Sequence, residues 1–353
     1  MYPQGSRIGI LGGGQLAKFL SIAASKLGYR THIFTNQKDS PAIEVSESYT
    51  IASFLNYAAL KNFSDNVDLI TYEFENIPSE TLDFLVKKLP IYPDRKALLV
   101  SQDRITEKKF LNNLGIETVD FASVNSLVDY FDAISKIGYP AILKTRTLGY
   151  DGKGQIHINK QTKETKIFDH LEIGPCILES KVEFDKEISV IICRSNNGTV
   201  MSFDPGENIH SNGILRETTV PAKISDDLKL SAISVAGRLV NSLNYVGVMG
   251  VEFFVLKSKR LLVNEIAPRV HNSGHWTQNG CMIDQFEQHI RAITDMQLGD
   301  GSRHADVRMI NLIGDDISHI REKKMGSSYI YGKQKTTPER KMGHINYVTQ
   351  YSV

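Results

Sequence analysis

Apolar positions near the start of the chain fall into two rhythms. Ile8, Ile10 and Leu11 make a short run that stops at Gly12-Gly13-Gly14. Beyond the glycines, Leu16, Phe19, Leu20, Ala23 and Leu27 recur three or four residues apart, which predicts an amphipathic helix ended by Gly28. Thr31–Phe34 and Val67–Tyr72 read as further strands. Strand, helix and strand in alternation predict an α/β unit whose parallel sheet carries helices on its faces. From Leu98 onward the rhythm is mixed. A helix is expected over Asp103–Leu114, stopped by Gly115, and a strand over Ala141–Thr145 after Pro140. Strands follow at Cys176–Ser180 and Ile188–Cys193, then a helix at Asp226–Leu243, a hairpin across Val246–Ile266 and a helix at Ile283–Thr294. The last fifty residues or so are short, mixed segments without a clear period.

Length and charge narrow the picture. The 353 residues exceed one ordinary compact domain, so about two or three are expected. Forty-one basic residues against 40 acidic ones leave a net charge of +1, which supplies no field for nucleic acid or an anionic membrane. An anionic ligand must be held by local groups. No apolar run approaches the roughly 18 residues of a membrane span, and the first residues lack the apolar core of a signal peptide. Cys176, Cys193 and Cys281 are scattered, as reduced thiols of a cytoplasmic protein would be.

Four segments carry candidate chemistry. Gly12, Gly14 and Ala17 form a glycine turn between strand and helix, suited to cradling a phosphate on backbone amides. The second strand ends in Phe34-Thr35-Asn36-Gln37 without the acidic residue a dinucleotide ribose needs, which favours another phosphate, then a bare structural turn, over a dinucleotide. Lys144 ends a strand shortly before Gly149-Tyr150-Asp151-Gly152-Lys153-Gly154-Gln155, and a lysine beside a glycine loop suits a nucleoside triphosphate. The pattern is not a P-loop; the alternative is a solvated turn. Third, if Lys257-Ser258-Lys259-Arg260 closes a regular hairpin, Leu256 pairs with Leu261 and Glu252 falls opposite Glu265. Facing carboxylates suit Mg²⁺, with an acid/base dyad or a slipped register as alternatives. Fourth, Pro268-Arg269-Val270-His271-Asn272-Ser273-Gly274-His275-Trp276 crowds polar groups into an exit loop, for anion binding by Arg269, His271 and Asn272 or, less simply, zinc at His271 and His275.

Gly-Gly-Gly-Gln-Leu at 12–16, the run 149–155, the stretch Asn264–Gly280 and Arg340–Asn346 together resemble the N5-carboxyaminoimidazole ribonucleotide synthetases, ATP-grasp enzymes of purine synthesis, over nearly the whole chain. The resemblance implies an α+β ATP-grasp fold in three parts. These are a Rossmann-like N-terminal domain (1–97), an ATP-grasp domain (98–297) with a mobile lid (about 121–184) and a small C-terminal domain (298–353). It implies ATP, bicarbonate and 5-aminoimidazole ribonucleotide as substrates, Mg²⁺ as cofactor, no nucleic-acid or membrane partner, and a cytoplasmic homodimer. It places ATP on Arg104, Lys144, Gly149–Gln155 (Gly149, Tyr150, Asp151, Gly152, Lys153, Gly154, Gln155), Glu179, Ser180, Lys181, Val182, Glu187, His210, Asn264 and Glu265. Glu252 and Glu265 would hold the metal. Tyr150, Asp151, Lys153, Arg269, His271 and Asn272 would surround bicarbonate and the imidazole, with Asp151 orienting or deprotonating the amine. Gln15, Leu16, Glu73, Glu75, Lys333 and Arg340 would hold the ribonucleotide. Leu148 stands where the family often has a glycine. A formate-using sibling ligase and a nucleotide sensor without chemistry are the competing functions.

Overall fold

The computed structural model describes residues 1–149, 152–172, 174–322 and 326–351. Tyr150 and Asp151, both expected in the site, lie outside the described residues. The first sheet uses β1 (Arg7–Leu11), β2 (Arg30–Thr35), β3 (Ser48–Ile51) and β4 (Leu69–Tyr72). Its order is β3-β2-β1-β4 and every pairing is parallel, as the alternation predicts. Strand β3 escaped the sequence reading because its alternate residues are exposed and it is only four residues long.

A second sheet contains β5 (Phe121–Val124), β6 (Ala141–Thr145), β7 (Gln155–Ile158) and β8 (Cys176–Ser180), in the antiparallel order β5-β8-β6-β7. It has an apolar core of its own, in which Tyr130 and Ile134 from the helix Leu127–Ile137 meet Leu143 and Leu178. This unit thus packs around an apolar cluster separate from those of the other sheets.

The third sheet has nine strands: β9 (Phe184–Arg194), β10 (Val200–Ser202), β11 (Gly206–Ser211), β12 (Ile214–Val220), β13 (Gly247–Leu256), β14 (Leu261–Ala267), β15 (Ala305–Ile313), β16 (Ser327–Ile330) and β17 (Lys341–Tyr351). Its path is β14-β13-β9-β11-β12-β15-β17-β16, with β10 on β9. The last fifty residues therefore continue the central sheet through the pairing of β15 with β12. Helix Gln285–Ile293 packs on β9 and β13 beneath the first glycine helix, Gln15–Lys26. One apolar cluster runs from Ile8 and Phe19 through Val248 and Phe286 to Met309 and Tyr331, joining residues of all three sequence segments.

Candidate active site

The hairpin β13–β14 does place Glu252 opposite Glu265, by a route the sequence reading did not foresee. The turn spans three residues, not four. Leu256 pairs with Arg260 through Leu256 N–H to Arg260 O at 2.9 Å, and Lys259 takes φ 65°, so Val255 faces Leu261. A three-residue turn with its last residue left-handed is a common hairpin closure. A bulge between Phe253 and Glu252 inserts Asn264 as an extra residue and restores the expected pairing. Burial, reinforced by the Glu265 charge, pushes the Glu252 carboxyl up to about 7. Two facing carboxylates in a half-buried setting are a donor set that a hard divalent cation offsets. No group of three His, Cys, Asp or Glu able to hold a metal occurs among the described residues, so such a cation needs further oxygens from its ligand.

Around the pair the structure gathers most of the expected residues. Arg104 Nη1 lies 3.4 Å from Glu265 Oε2, and its Nη2 donates to Gly149 O at 3.5 Å, linking the carboxylate pair to the glycine loop. That loop leaves β6 and returns in β7, with Lys144 paired to Gln155. Gly152 lies so close to the β11–β12 turn that a Cβ would stand 3.0 Å from Asn212 O. Gly154 O contacts His170 Nε2 at 3.1 Å. Leu148, in the left-handed region at φ 62°, strains a position that glycine would occupy freely. Lys153 Nζ lies 3.6 Å from Glu339 Oε2. Glu187 and His210, on neighbouring strands, form an ion pair that raises the imidazole pKa against the effect of burial.

Glu179 shows a feature absent from the sequence reading. Its carboxylate is buried between Lys144 Nζ at 2.6 Å and Lys108 Nζ at 3.3 Å. Burial alone would raise it, but the two ammonium groups hold it down to about 2. Burial lowers Lys144 despite that partner, with Arg104 and Lys108 adding to the effect. Lys108 also donates to Asn264 O at 3.3 Å, and Glu107 accepts Ile266 N–H at 2.7 Å. Arg104, Glu107 and Lys108 stand at i, i+3 and i+4 on one helix face, the spacing that could have revealed them. Ser180, Lys181 and Val182 follow on the strand exit, where Ser180 N–H bonds Asp120 O and Lys181 N–H bonds Pro140 O.

The exit loop carries Arg269 against Glu75, with both Nε and Nη2 3.2 Å from its carboxylate, so the first and central segments meet here. His271 Nε2 lies 3.5 Å from Glu252 Oε1, and burial with the nearby Arg269 charge lowers its pKa well below the ordinary value. Gly250 is what admits this ring: a Cβ there would stand 2.8 Å from His271 Cβ and Cγ. Asn272 exchanges amide hydrogen bonds with Asn311 of β15, at 2.6 and 3.1 Å, a partner not legible in sequence. The zinc alternative fails, because His275 turns away into an aromatic cluster with Phe19 and His344 while its Nδ1 meets Gln285.

At the first glycine turn the phosphate-cradle expectation is overturned. Glu73 Oε1 accepts Gly14 N–H at 2.9 Å, so a carboxylate already caps the helix that a phosphate would need. Gly12, at φ 108°, has no room for a side chain, since its Cβ would meet Glu73 Cγ at 2.7 Å. The Leu16 side chain is buried in the core, leaving Gln15 and Glu73 as the polar groups of the turn. Across from it, Arg340 Nη1 lies 3.3 Å from Asp39 Oδ2, and Lys333 Nζ donates to Lys341 O at 2.7 Å. Asp39 is thus met by both Arg340 and the Gln334 N–H, and Ser40 packs against Gly13, so the last segment adjoins the first glycine turn.

A small antiparallel sheet bringing Lys144 and a glycine loop to a carboxylate hairpin on a larger sheet is the ATP-grasp arrangement, and the molecule is a ligase of that class. Family models agree in all three segments: a ribonucleotide synthetase preATP-grasp domain over residues 6–102, an ATP-grasp domain over 109–286 and a phosphoribosylaminoimidazole carboxylase C-terminal domain over 308–352. The N5-carboxyaminoimidazole ribonucleotide synthase of Brucella melitensis is 46% identical across 97% of this chain and 96% of its own. That of Bacillus subtilis is 40% identical across 99% and 93%. The Staphylococcus aureus synthetase crystallised with ADP superposes with a TM-score of 0.95 at 37% identity, covering 99% of this chain and 94% of its own. An Aspergillus clavatus synthase in complex with ADP and 5-aminoimidazole ribonucleotide gives 0.92 at 28%, covering 99% and 95%. The chain belongs to the N5-carboxyaminoimidazole ribonucleotide synthase family, ATP-grasp ligases of purine biosynthesis. Among the described residues no helix is long and apolar enough to cross a membrane.

Proposed function

We propose that the protein uses ATP and bicarbonate to carboxylate the amine of 5-aminoimidazole ribonucleotide, giving the N5-carboxyamino product, ADP and phosphate. The observation that carries the reading is the clustering of Arg104 and His271 on the Glu252–Glu265 pair, with Arg269 two residues from His271 and Arg104 also reaching Gly149 O. Lys144 and Arg104 hold the triphosphate, and Val182, at the strand exit beside Glu179, faces the adenine. A bicarbonate oxygen attacks the γ-phosphorus, the bond to the ADP oxygen breaks, and carboxyphosphate forms. Arg269 neutralises the carboxylate end, and His271 donates to it. Carboxyphosphate then breaks to CO₂ and phosphate, and the ribonucleotide amine adds to CO₂ with loss of one proton, for which Asp151 is the acceptor. Mg²⁺ on Glu252 and Glu265 would supply charge neutralisation at the β- and γ-phosphates. Covering the site keeps water from the mixed anhydride. Glu73 and Gln15 face the ribonucleotide's sugar, while Lys333 and Arg340 face its phosphate. The protein acts as a cytoplasmic homodimer.

The test is phosphate release from ATP with each co-substrate withheld. Release should rise on adding 5-aminoimidazole ribonucleotide and fall when bicarbonate is depleted. Stimulation by formate with glycinamide ribonucleotide instead would assign the chain to a sibling activity.

A further inference from the structure

The loop that carries His271 leaves its ring only one tautomer. His271 Nδ1 lies 2.8 Å from Ser273 Oγ and accepts the Ser273 backbone N–H at 3.4 Å. A backbone N–H only donates, so Nδ1 must present its lone pair. The hydroxyl agrees, because Ser189 Oγ donates to Ser273 Oγ at 2.7 Å and thereby leaves the Ser273 proton to point at Nδ1. Ser189 and Ser273 are 2% and 0% exposed, so water does not compete for either hydroxyl. The main chain on which this rests is clamped as well. Gln285 Oε1 accepts His271 N–H and Gln285 Nε2 donates to His271 O, both at 2.8 Å. The neutral ring therefore carries its proton on Nε2, the atom that faces Glu252.

We propose that Ser273, held by Ser189, is a positioning residue that locks His271 as the Nε2–H tautomer, making it a hydrogen-bond donor to bicarbonate rather than a base. With Nδ1 saturated and Nε2 already protonated, the ring has no lone pair directed at the substrate. It stabilises negative charge on the bicarbonate or carboxyphosphate oxygen beside Arg269, and the amine's proton must leave by another group. The inference rests on the reading above only for what Nε2 touches; the tautomer follows from the loop itself.

Two measurements separate these parts. The first is ring-nitrogen NMR of the full-length protein, with His271 resonances assigned by their loss in His271→Asn. An unprotonated Nδ1 and a protonated Nε2 are expected. Ser273→Ala should remove that bias and give averaged or exchanging nitrogens, and Ser189→Ala should do so partially. A protonated Nδ1 in the wild-type protein, or an unchanged signature in Ser273→Ala, overturns the lock. The second is steady-state kinetics: Ser273→Ala should raise the KM for bicarbonate about threefold to tenfold, the scale of one neutral hydrogen bond, with the KM for ATP unchanged. An unchanged bicarbonate KM in His271→Asn, with the NMR signature intact in the wild type, overturns the donor role and the bicarbonate assignment together while leaving the tautomer standing.

Discussion

Glu179 and Glu265 are both glutamates of the proposed ATP site, yet their surroundings differ. Glu265 faces Glu252 and a guanidinium at a half-open edge, where a cation is welcome. Changing Glu265 to Gln should abolish ATP turnover at ordinary Mg²⁺ while leaving thermal stability near wild type; near-normal turnover would remove it from the metal site. Glu179 is sealed between Lys108 and Lys144, so its removal leaves two buried ammonium groups uncompensated. Glu179→Gln should cost about 3–5 kcal/mol at neutral pH. Its folded pKa of about 2 lies below the ordinary 4.5, so its stabilisation is complete above pH 4.5 and fades as pH falls toward 2. Denaturant midpoints of wild type and variant should therefore converge across that acid window. A gap that stays constant would show that the carboxylate charge is not what holds the lysines.

Among the elements, the β13–β14 hairpin shows how the right pairing arises from an irregular strand. The three-residue turn alone would put Glu252 opposite Asn264, and the bulge corrects it by one residue. A slip of one residue reverses every side chain across the sheet, so turn and bulge must act together. Lys259 adopts a left-handed conformation that costs a non-glycine residue roughly 1 kcal/mol. Its ion pair with Asp185, at 3.8 Å and exposed, returns little. Lys259→Gly should thus hold stability within about 1 kcal/mol of wild type or raise it, with ATP turnover intact. Lost turnover with the fold retained would mean that the lysine itself, and not the turn geometry, serves the site.

For the whole molecule, the decisive fact is that the three sequence segments share one core. Phe19 of the N-terminal helix meets Phe286 at 5.1 Å and the Tyr331 ring at 5.9 Å. Phe19→Ala should destabilise by about 3–5 kcal/mol and speed amide exchange in β15 and β17 as well as in β1 and β2. Strands β5–β8, with their separate core, should keep their own protection. Faster exchange confined to the first sheet would show that the segments unfold separately. The same shared architecture sets Arg340 opposite the first glycine turn. Arg340→Ala should raise the KM for 5-aminoimidazole ribonucleotide roughly tenfold or more, as loss of a charge-assisted bond does, with ATP affinity unchanged. An unchanged ribonucleotide KM would leave Arg340 a structural role through Asp39 and Lys335 O.

The residue order by itself determined the parallel first sheet, the glycine loop after Lys144, the facing glutamates and the crowded loop from Arg269 to His275. Each is a local pattern, in which spacing along the chain sets spacing in space within one turn or one hairpin. Only tertiary structure decided the rest. Strand β15, on which β17 and β16 build, read as irregular because its partner β12 lies roughly ninety residues upstream, and no local period announces a long-range pairing. The Gly14 amide expected to cradle a phosphate is instead taken by Glu73, the residue just past the end of β4. Lys108, Asn311 and Ser189 became site residues for the same reason. A buried polar group must find a partner, and the fold, not the neighbouring sequence, brings that partner within hydrogen-bonding distance.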